Sequence, residues 1–216
     1  SDPEIVQGPS EDAKSLLDDL TTRYLYKDIF LFENLQKADI IHQLLQLLAF
    51  QTGSEVSYHE LAKNLKVNER TVARYIDLLE KAFVIFRLGP LSRNLRKEIS
   101  KKKKIYFYDV GVRNSIIQQH QPIASRADRG ALWENYLIAE RMKYLHARLR
   151  FPNRYFWRTH DQQEIDYIEE SEGQLQAYEF KWETTKKYIP PAFSKGYPAA
   201  SLQWIDRTNF ELFLLD

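Results

Sequence analysis

The chain has 216 residues, of which 44% are hydrophobic and 28% are charged, a balance typical of globular domains rather than of disorder or coiled coil. It contains no cysteine, which excludes disulfides, thiolate metal sites and cysteine nucleophiles. The formal net charge is only +1, yet the segment from Ser92 to Lys104 holds seven basic residues against one acid, so polyanions are candidate partners.

The first part of the chain is predicted to be helical. Residues 1–10 form an extended lead-in, a first helix runs from Ser10 toward Tyr26, and a second covers about Lys37 to Thr52 with Gly53 as its C′ residue. No apolar run approaches the roughly 20 residues that span a bilayer, and no charged-then-apolar signal segment opens the chain. We expect a cytoplasmic protein without membrane contact.

A helix-turn-helix pattern follows. Ser57 and Glu60 form a capping box that opens a short helix through Leu65. Asn68 is the N-cap of the next helix, predicted from about Glu69 to Ala82. The apolar positions of this helix recur at helical spacing on one face: Val72, Tyr75, Ile76, Leu79 and Phe83.

Two β-prone runs, Phe83 to Leu88 and Lys104 to Tyr108, flank the basic strip, and a short helix begins at Asp109. Two helices followed by a hairpin with a basic connection predict a winged helix-turn-helix, which with the helical lead makes a first domain of residues 1–120. On such a unit the second helix would place Arg70, Thr71 and Arg74 in a DNA major groove. The phosphate contacts would come from a lysine run (Lys101, Lys102, Lys103 and Lys104). The alternative is that this run is a solvated loop.

Residues 121–216 are predicted to form a second domain of α/β type, after a linker at 119–128. A long helix covers about Arg129 to Arg148. The remainder is rich in β-prone segments: 154–159, 164–169, 175–182, 202–205 and 210–215.

The hairpin around Gly173 brings acids together. If Glu172 and Gly173 are the two central turn residues, Asp166 faces Glu179 on the neighbouring strand. Period-2 alternation then places four side chains on one face of the sheet: Glu164, Asp166, Glu179 and Lys181. The other face would carry a packed layer: Ile165, Tyr167, Tyr178, Phe180 and Trp182.

Two opposed carboxylates repel each other, and a divalent cation with oxygen ligands is a natural compensator. Glu134 joins this group from the long helix, where it shares a mostly apolar stripe with Leu137 and Ile138. A carboxylate on such a face is costly to bury unless it is paired or bound to metal. Glu164 is either a further ligand or the partner of Lys181.

A glutamate on a helix, an aspartate on one strand and Glu-x-Lys on the next resemble the PD-(D/E)-x-K nuclease superfamily. The resemblance implies a restriction-endonuclease-like fold in which Glu134, Asp166 and Glu179 bind Mg²⁺ or Mn²⁺. It also implies that Lys181 orients or activates the water that attacks a phosphodiester, so that all four residues are catalytic. A cluster of the same composition that forms salt bridges without metal, in a degenerate nuclease fold, is the alternative.

A narrower resemblance extends over nearly the whole chain, carried by six segments: Leu25–Ile29, Arg70–Tyr75, Lys104–Gly111, Gly130–Asn135, Trp157–Arg158 and Glu164–Tyr167. In this order they resemble the C-terminal half of a bacterial and archaeal family of AAA+-type ATPases whose C-terminal domain has no known function. The resemblance implies an upstream P-loop ATPase domain as partner, with ATP bound there, because no G-x-x-x-x-G-K-[ST] motif occurs in this sequence. The winged helix would then either contact DNA or pack against the ATPase domain.

Two functions from different classes follow. The first is a DNA-associated, Mg²⁺-dependent phosphodiesterase module driven by the neighbouring ATPase. The second is a non-catalytic module that regulates the ATPase or binds a protein partner.

Overall fold

The computed structural model describes residues 38–92, 102–159 and 161–215. The predicted first helix and most of the basic strip, including Lys101, lie outside these ranges. Within them the chain has a mixed α/β architecture with a seven-stranded sheet in the order β1-β3-β2-β4-β5-β6-β7. None of the helices in these ranges is both long and apolar enough to cross a membrane.

The described elements are, in chain order, the following helices and strands: α1 (Ala38–Phe50), β1 (Glu55–Val56), α2 (Tyr58–Leu65), α3 (Glu69–Lys81), β2 (Ile85–Pro90), β3 (Lys103–Phe107), α4 (Val110–Ile116), α5 (Arg129–Ala147), β4 (Asn153–Arg158), β5 (Glu164–Ser171), β6 (Gln174–Phe180), α6 (Pro191–Gly196), β7 (Ser201–Ile205) and α7 (Phe210–Leu215). A 3₁₀ turn at Ile123–Ser125 precedes α5.

The described residues divide into two compact units. Residues 38–87 and 104–126 form the first, and residues 88–92, 102–103, 127–159 and 161–215 form the second. Strand β2 therefore begins in the first unit, while its last residues pair with β4 in the second, Gly89 opposite Tyr155 and Pro90 opposite Phe156. The sequence-based boundary after residue 120 does not account for this contribution of β2.

Side-chain caps fix the helices of the first unit. The Ser57 hydroxyl accepts from the Glu60 amide at the start of α2, and Asn68 Oδ1 accepts from the Thr71 amide, at 2.8 Å, at the start of α3. These contacts confirm both predicted N-caps. The four helical positions of α3 that were predicted to be apolar and that lie within the helix are buried: Val72, Tyr75, Ile76 and Leu79.

Phe83 was wrongly assigned to the apolar face of this helix. The helix ends at Lys81, and Phe83 adopts a left-handed backbone conformation with φ 56°. The residue is therefore rotated away from the helical face, 72% exposed, with its ring edge-on to Tyr108.

In the second unit the β5–β6 hairpin has the predicted register. Ser171 pairs with Gln174 and Tyr167 with Tyr178. Glu172 and Gly173 form the turn with φ values of 52° and 77°, the left-handed conformation required at both centres of a type I′ turn.

The predicted alternation fails at one point of β5. Tyr155 of β4 pairs with Ile168, but Trp157 pairs with Ile165, so two residues of β5 lie opposite one residue of β4. This β-bulge shifts the alternation by one position. Ile165 consequently packs with Ile168, Ala177, Trp157 and Phe193, and not in the layer of Tyr167 where it was predicted.

Helix α7 packs against α5 and contributes Phe213 to an aromatic layer with Tyr167, Tyr178 and Phe180. The segment 210–215 was predicted to be a strand, and that prediction is wrong. Helix α6 contributes Phe193 to the other hydrophobic cluster, where it contacts Trp157.

Candidate functional site

The predicted acidic cluster lies where β5 and β6 run side by side. Asp166 stands in the bulged part of β5, and Glu179 is the second-last residue of β6. Strand β6 ends at Phe180, two residues before the predicted end of the strand. Lys181 follows it, and its amide donates to the Ile205 carbonyl at 3.0 Å. This bond holds the Lys181 backbone next to β7.

The side chains of these three residues are in contact. Lys181 Nζ lies 3.0 Å from Glu179 Oε2 and 3.9 Å from Asp166 Oδ2. Asp166 Oδ2 also accepts a hydrogen bond from the Phe180 amide at 2.8 Å. Asp166 is therefore fixed by the neighbouring strand, while Lys181 bridges the two carboxylates.

Burial dominates the electrostatics of this cluster. Burial and, secondly, the charge of Asp166 raise the pKa of Glu179 from 4.5 to about 7 despite the opposing effect of Lys181. Burial lowers the pKa of Lys181, but the charges of Asp166, Glu179 and Glu134 outweigh it, so the pKa rises. The single positive charge of Lys181 therefore does not fully neutralise the negative charges of Asp166 and Glu179.

Glu134 is half-buried in the second turn of α5. Its negative charge contributes to the raised pKa of Lys181, so Glu134 lies within electrostatic reach of the cluster. Glu164 faces Arg158 across β4 and β5, with Arg158 Nε 3.8 Å from Glu164 Oε2. Glu164 therefore pairs with Arg158, a partner that the sequence did not indicate.

The donor set suits a hard divalent cation held by two carboxylates. In the described part of the chain, Glu179 Oε1 is buried without a hydrogen-bond partner, which leaves one oxygen available as a ligand. Mg²⁺ typically binds one or two carboxylates and keeps several waters. No group of three His, Cys, Asp or Glu residues among the described ones is spaced to hold a metal ion, so Glu134 does not complete a three-ligand site in this conformation.

The chain matches two family models. Residues 3–122 match the domain of unknown function DUF8612, and residues 129–200 match the domain of unknown function DUF4143. The chain belongs to the DUF8612 family. All four residues of the acidic cluster fall within the DUF4143 match, and α3 falls within the DUF8612 match.

The curated relatives of this chain are also uncharacterised proteins. Uncharacterised proteins of Mycobacterium bovis and Mycobacterium tuberculosis are each 28% identical over 201 residues, covering 92% of this chain and 43% of theirs. An uncharacterised protein of Methanocaldococcus jannaschii is 29% identical over 133 residues, covering 56% of this chain and 27% of its own. This chain thus spans less than half the length of these relatives. No solved structure matches it significantly.

The predicted nucleic-acid contacts of the DUF8612 region differ in accessibility. Arg70 and Arg74 are exposed on α3, whereas Thr71 is half-buried and its hydroxyl donates to Asn68 Oδ1 at 2.9 Å. Lys102 is exposed and Lys103 half-buried. Lys104 is only 2% exposed inside β3, so its predicted role as a phosphate contact is not compatible with its position.

The sequence did not reveal a buried ion pair in the second unit, between Arg141 and Glu169. Arg141 of α5 donates from Nε and from one terminal nitrogen to the two oxygens of Glu169, at 2.9 and 3.0 Å, and from the other terminal nitrogen to the Phe213 carbonyl. The Tyr167 hydroxyl donates to Glu169 Oε1 at 3.1 Å. Arg141 lies on the helical stripe predicted for Glu134. No sequence pattern in α5 indicates that its partner is Glu169, 28 residues away.

Proposed function

We propose that the second unit is a Mg²⁺-dependent phosphodiesterase module with a restriction-endonuclease-like fold. The observation that carries the proposal is the pair of buried carboxylates, Asp166 and Glu179, both contacted by one lysine, with Glu179 Oε1 left without a partner among the described residues. A buried pair of like charges is unfavourable without a cation, and a divalent ion compensates it better than one ammonium.

The residues divide the chemistry as follows. Asp166 and Glu179 would hold the ion, and Glu134, on the neighbouring helix, would contribute through a bound water. Mg²⁺, when bound, neutralises charge on the phosphate and lowers the pKa of a coordinated water. Lys181 remains charged because its pKa is raised, and 49% of its side chain is exposed, so it is available to orient a water or a phosphate oxygen by donating a hydrogen bond.

We propose further that the first unit is a winged helix-turn-helix that contacts DNA through Arg70 and Arg74. The order of its elements, α1-β1-α2-α3-β2-β3, supports this proposal, as does the exposure of both arginines. The whole protein, by its resemblance to AAA+-type ATPases, would carry a P-loop domain upstream that drives the module.

Metal binding is tested first by thermal denaturation with Mg²⁺ or Mn²⁺ against EDTA. A ligand that binds the native state stabilises it by mass action, so the melting temperature should rise with metal concentration. Asp166→Asn should abolish the rise, while Glu170→Gln, the same kind of change on an acid of the same strand outside the cluster, should retain it. A rise that survives in Asp166→Asn would place the ion elsewhere and contradict the proposal.

Turnover is tested separately with labelled single- and double-stranded oligonucleotides. Lys181→Ala should retain the metal-dependent rise in melting temperature but lose cleavage. Metal binding without cleavage of any oligonucleotide by the wild type would refute the phosphodiesterase and leave a cation site.

The second candidate is a non-catalytic module that regulates the ATPase or binds a protein partner. The observation in its favour is that Lys181 already contacts both acids while the described residues offer no three-ligand group. This candidate predicts no metal-dependent rise in melting temperature.

A further inference from the structure

The segment that follows β6 combines cationic and aromatic side chains directly beside the acidic cluster. Residues 181–189 contain three lysines, one acid, Trp182 and Tyr188. Tyr188 is 60% exposed and Ile189 is 51% exposed. Tyr188 directly follows Lys186 and Lys187. Exposed aromatic rings next to basic side chains are typical of surfaces that bind single-stranded nucleic acid.

The start of this segment is fixed to the turn after β7. The Thr184 amide donates to Asp206 Oδ2 at 3.2 Å, and Arg207 Nε donates to the Trp182 carbonyl at 3.3 Å. Arg207 also forms an ion pair with Glu183. These bonds hold Trp182, Glu183 and Thr184 against the turn after β7.

Cations are placed over two tryptophan rings. The guanidinium carbons of Arg207 and Arg129 lie 5.0 and 5.5 Å from the centroid of the Trp182 ring. Lys187 Nζ lies 5.5 Å from the centroid of Trp204. Cations at these distances are attracted by the ring faces, which limits their motion.

The Lys187–Trp204 pair lies on the same face of the sheet as Glu179. Trp204 of β7 is in register with Glu179 of β6, and partners in a parallel ladder point to the same side of the sheet. Lys187 is therefore held on the face of the sheet that carries Glu179. Trp204 itself is half-exposed.

We infer that the surface of Arg129, Trp182, Lys187, Tyr188, Trp204 and Arg207 binds single-stranded DNA and leads its backbone to Asp166 and Glu179. The inference rests on the proposed phosphodiesterase function and gives its substrate class. The positive side chains of this surface, together with Lys181, attract phosphates. The exposed ring of Tyr188 offers a face on which an unpaired base stacks, whereas a duplex keeps its bases stacked on each other.

The test is fluorescence anisotropy with a labelled single-stranded 15-mer DNA in EDTA, so that binding is measured without the metal. Tyr188→Ala should weaken binding at least about fivefold, the lower range for removal of one stacking ring. The double variant Lys186→Gln/Lys187→Gln should lower the slope of log affinity against log salt by about 0.7 for each phosphate that is no longer neutralised. Lys143→Gln, a lysine of α5 that pairs with Glu140, is the control and should leave the slope unchanged.

Competition with unlabelled duplex DNA and with single-stranded RNA of the same sequence identifies the substrate class. Displacement by the single strand in clear preference to the duplex supports the inference, whereas equal or better competition by duplex or RNA overturns it. Equal affinity of Tyr188→Ala, the lysine double variant and the wild type also overturns it. Neither result depends on Asp166, so failure of this surface is distinct from failure of the metal site, which the Asp166→Asn melting experiment reports.

Discussion

At the scale of single residues, the protonation of Glu179 links the candidate site to stability. Burial and the neighbouring Asp166 raise its folded pKa from 4.5 to about 7. A carboxyl group with a raised pKa contributes stability that is fully present below its unfolded pKa and is lost as the pH rises through the folded pKa. Without metal, the wild type should therefore lose stability between about pH 4.5 and pH 7.

Glu179→Gln removes this titration and should be more stable than the wild type at pH 8 in EDTA, by on the order of 3 kcal/mol. The difference should shrink toward zero below pH 4.5, because the wild-type side chain is then neutral in both states. Urea denaturation at several pH values measures it. A variant that is less stable than the wild type at pH 8 would show that the Lys181 ion pair outweighs the burial of the charge.

The Arg141–Glu169 pair allows a second prediction at this scale, because both side chains are almost completely buried. Arg141→Met leaves Glu169 as an uncompensated buried charge and should cost about 3–5 kcal/mol. Adding Glu169→Gln should recover a large part of this loss, since the amide oxygen still accepts from Tyr167. Urea denaturation of the two single variants and the double variant tests the coupling, and additive losses would contradict it.

At the scale of elements, turn chemistry explains why the register was predictable. Gly173 favours positive φ, and this fixes the pairing from Ser171–Gln174 to Tyr167–Tyr178. That register brings Asp166 and Glu179 within reach of the same lysine, Lys181. Glu172 is less suited to its place, because it holds φ 52° with a Cβ atom.

Glu172→Asn should therefore raise the melting temperature, by the equivalent of up to about 1 kcal/mol, because asparagine tolerates the left-handed region and Asn-Gly is the preferred type I′ sequence. Gly173→Ala should lower it, since alanine is strained at φ 77°. If Glu172→Asn is neutral or destabilising, Glu172 makes a compensating contact that the turn geometry does not reveal.

Three other features could not be predicted from the local sequence: the bulge in β5, the helical conformation of α7 and the Arg141–Glu169 ion pair. A bulge adds one residue to a strand without changing its composition, so strict alternation misplaced Ile165. The segment Phe210–Leu215 has the aromatic and aliphatic content of a strand, yet it is a helix that packs its Phe213 on the sheet and on α5. Arg141 and Glu169 meet only because α5 covers β5, which no spacing within either element indicates.

At the scale of the whole molecule, the second unit is discontinuous in sequence. Leu91 packs against the cluster of Trp157 and Phe193, and its amide donates to the Phe156 carbonyl at 2.6 Å. The pairs Gly89–Tyr155 and Pro90–Phe156 cover the edge of β4. Composition along the chain favours a contiguous domain from residue 121, because strand pairing between distant segments leaves no mark on either.

A fragment of residues 121–216 should therefore be less stable than the same unit in the whole chain. Without residues 88–92, β4 becomes an open edge strand, which exposes unpaired backbone groups and favours association between copies. Thermal denaturation and size-exclusion chromatography should show a lower melting temperature and oligomers. Addition of a peptide of residues 85–92 should reverse part of both effects by pairing with β4. A monomeric fragment with an unchanged melting temperature would show that the pairing of β2 with β4 contributes nothing to the stability of this unit.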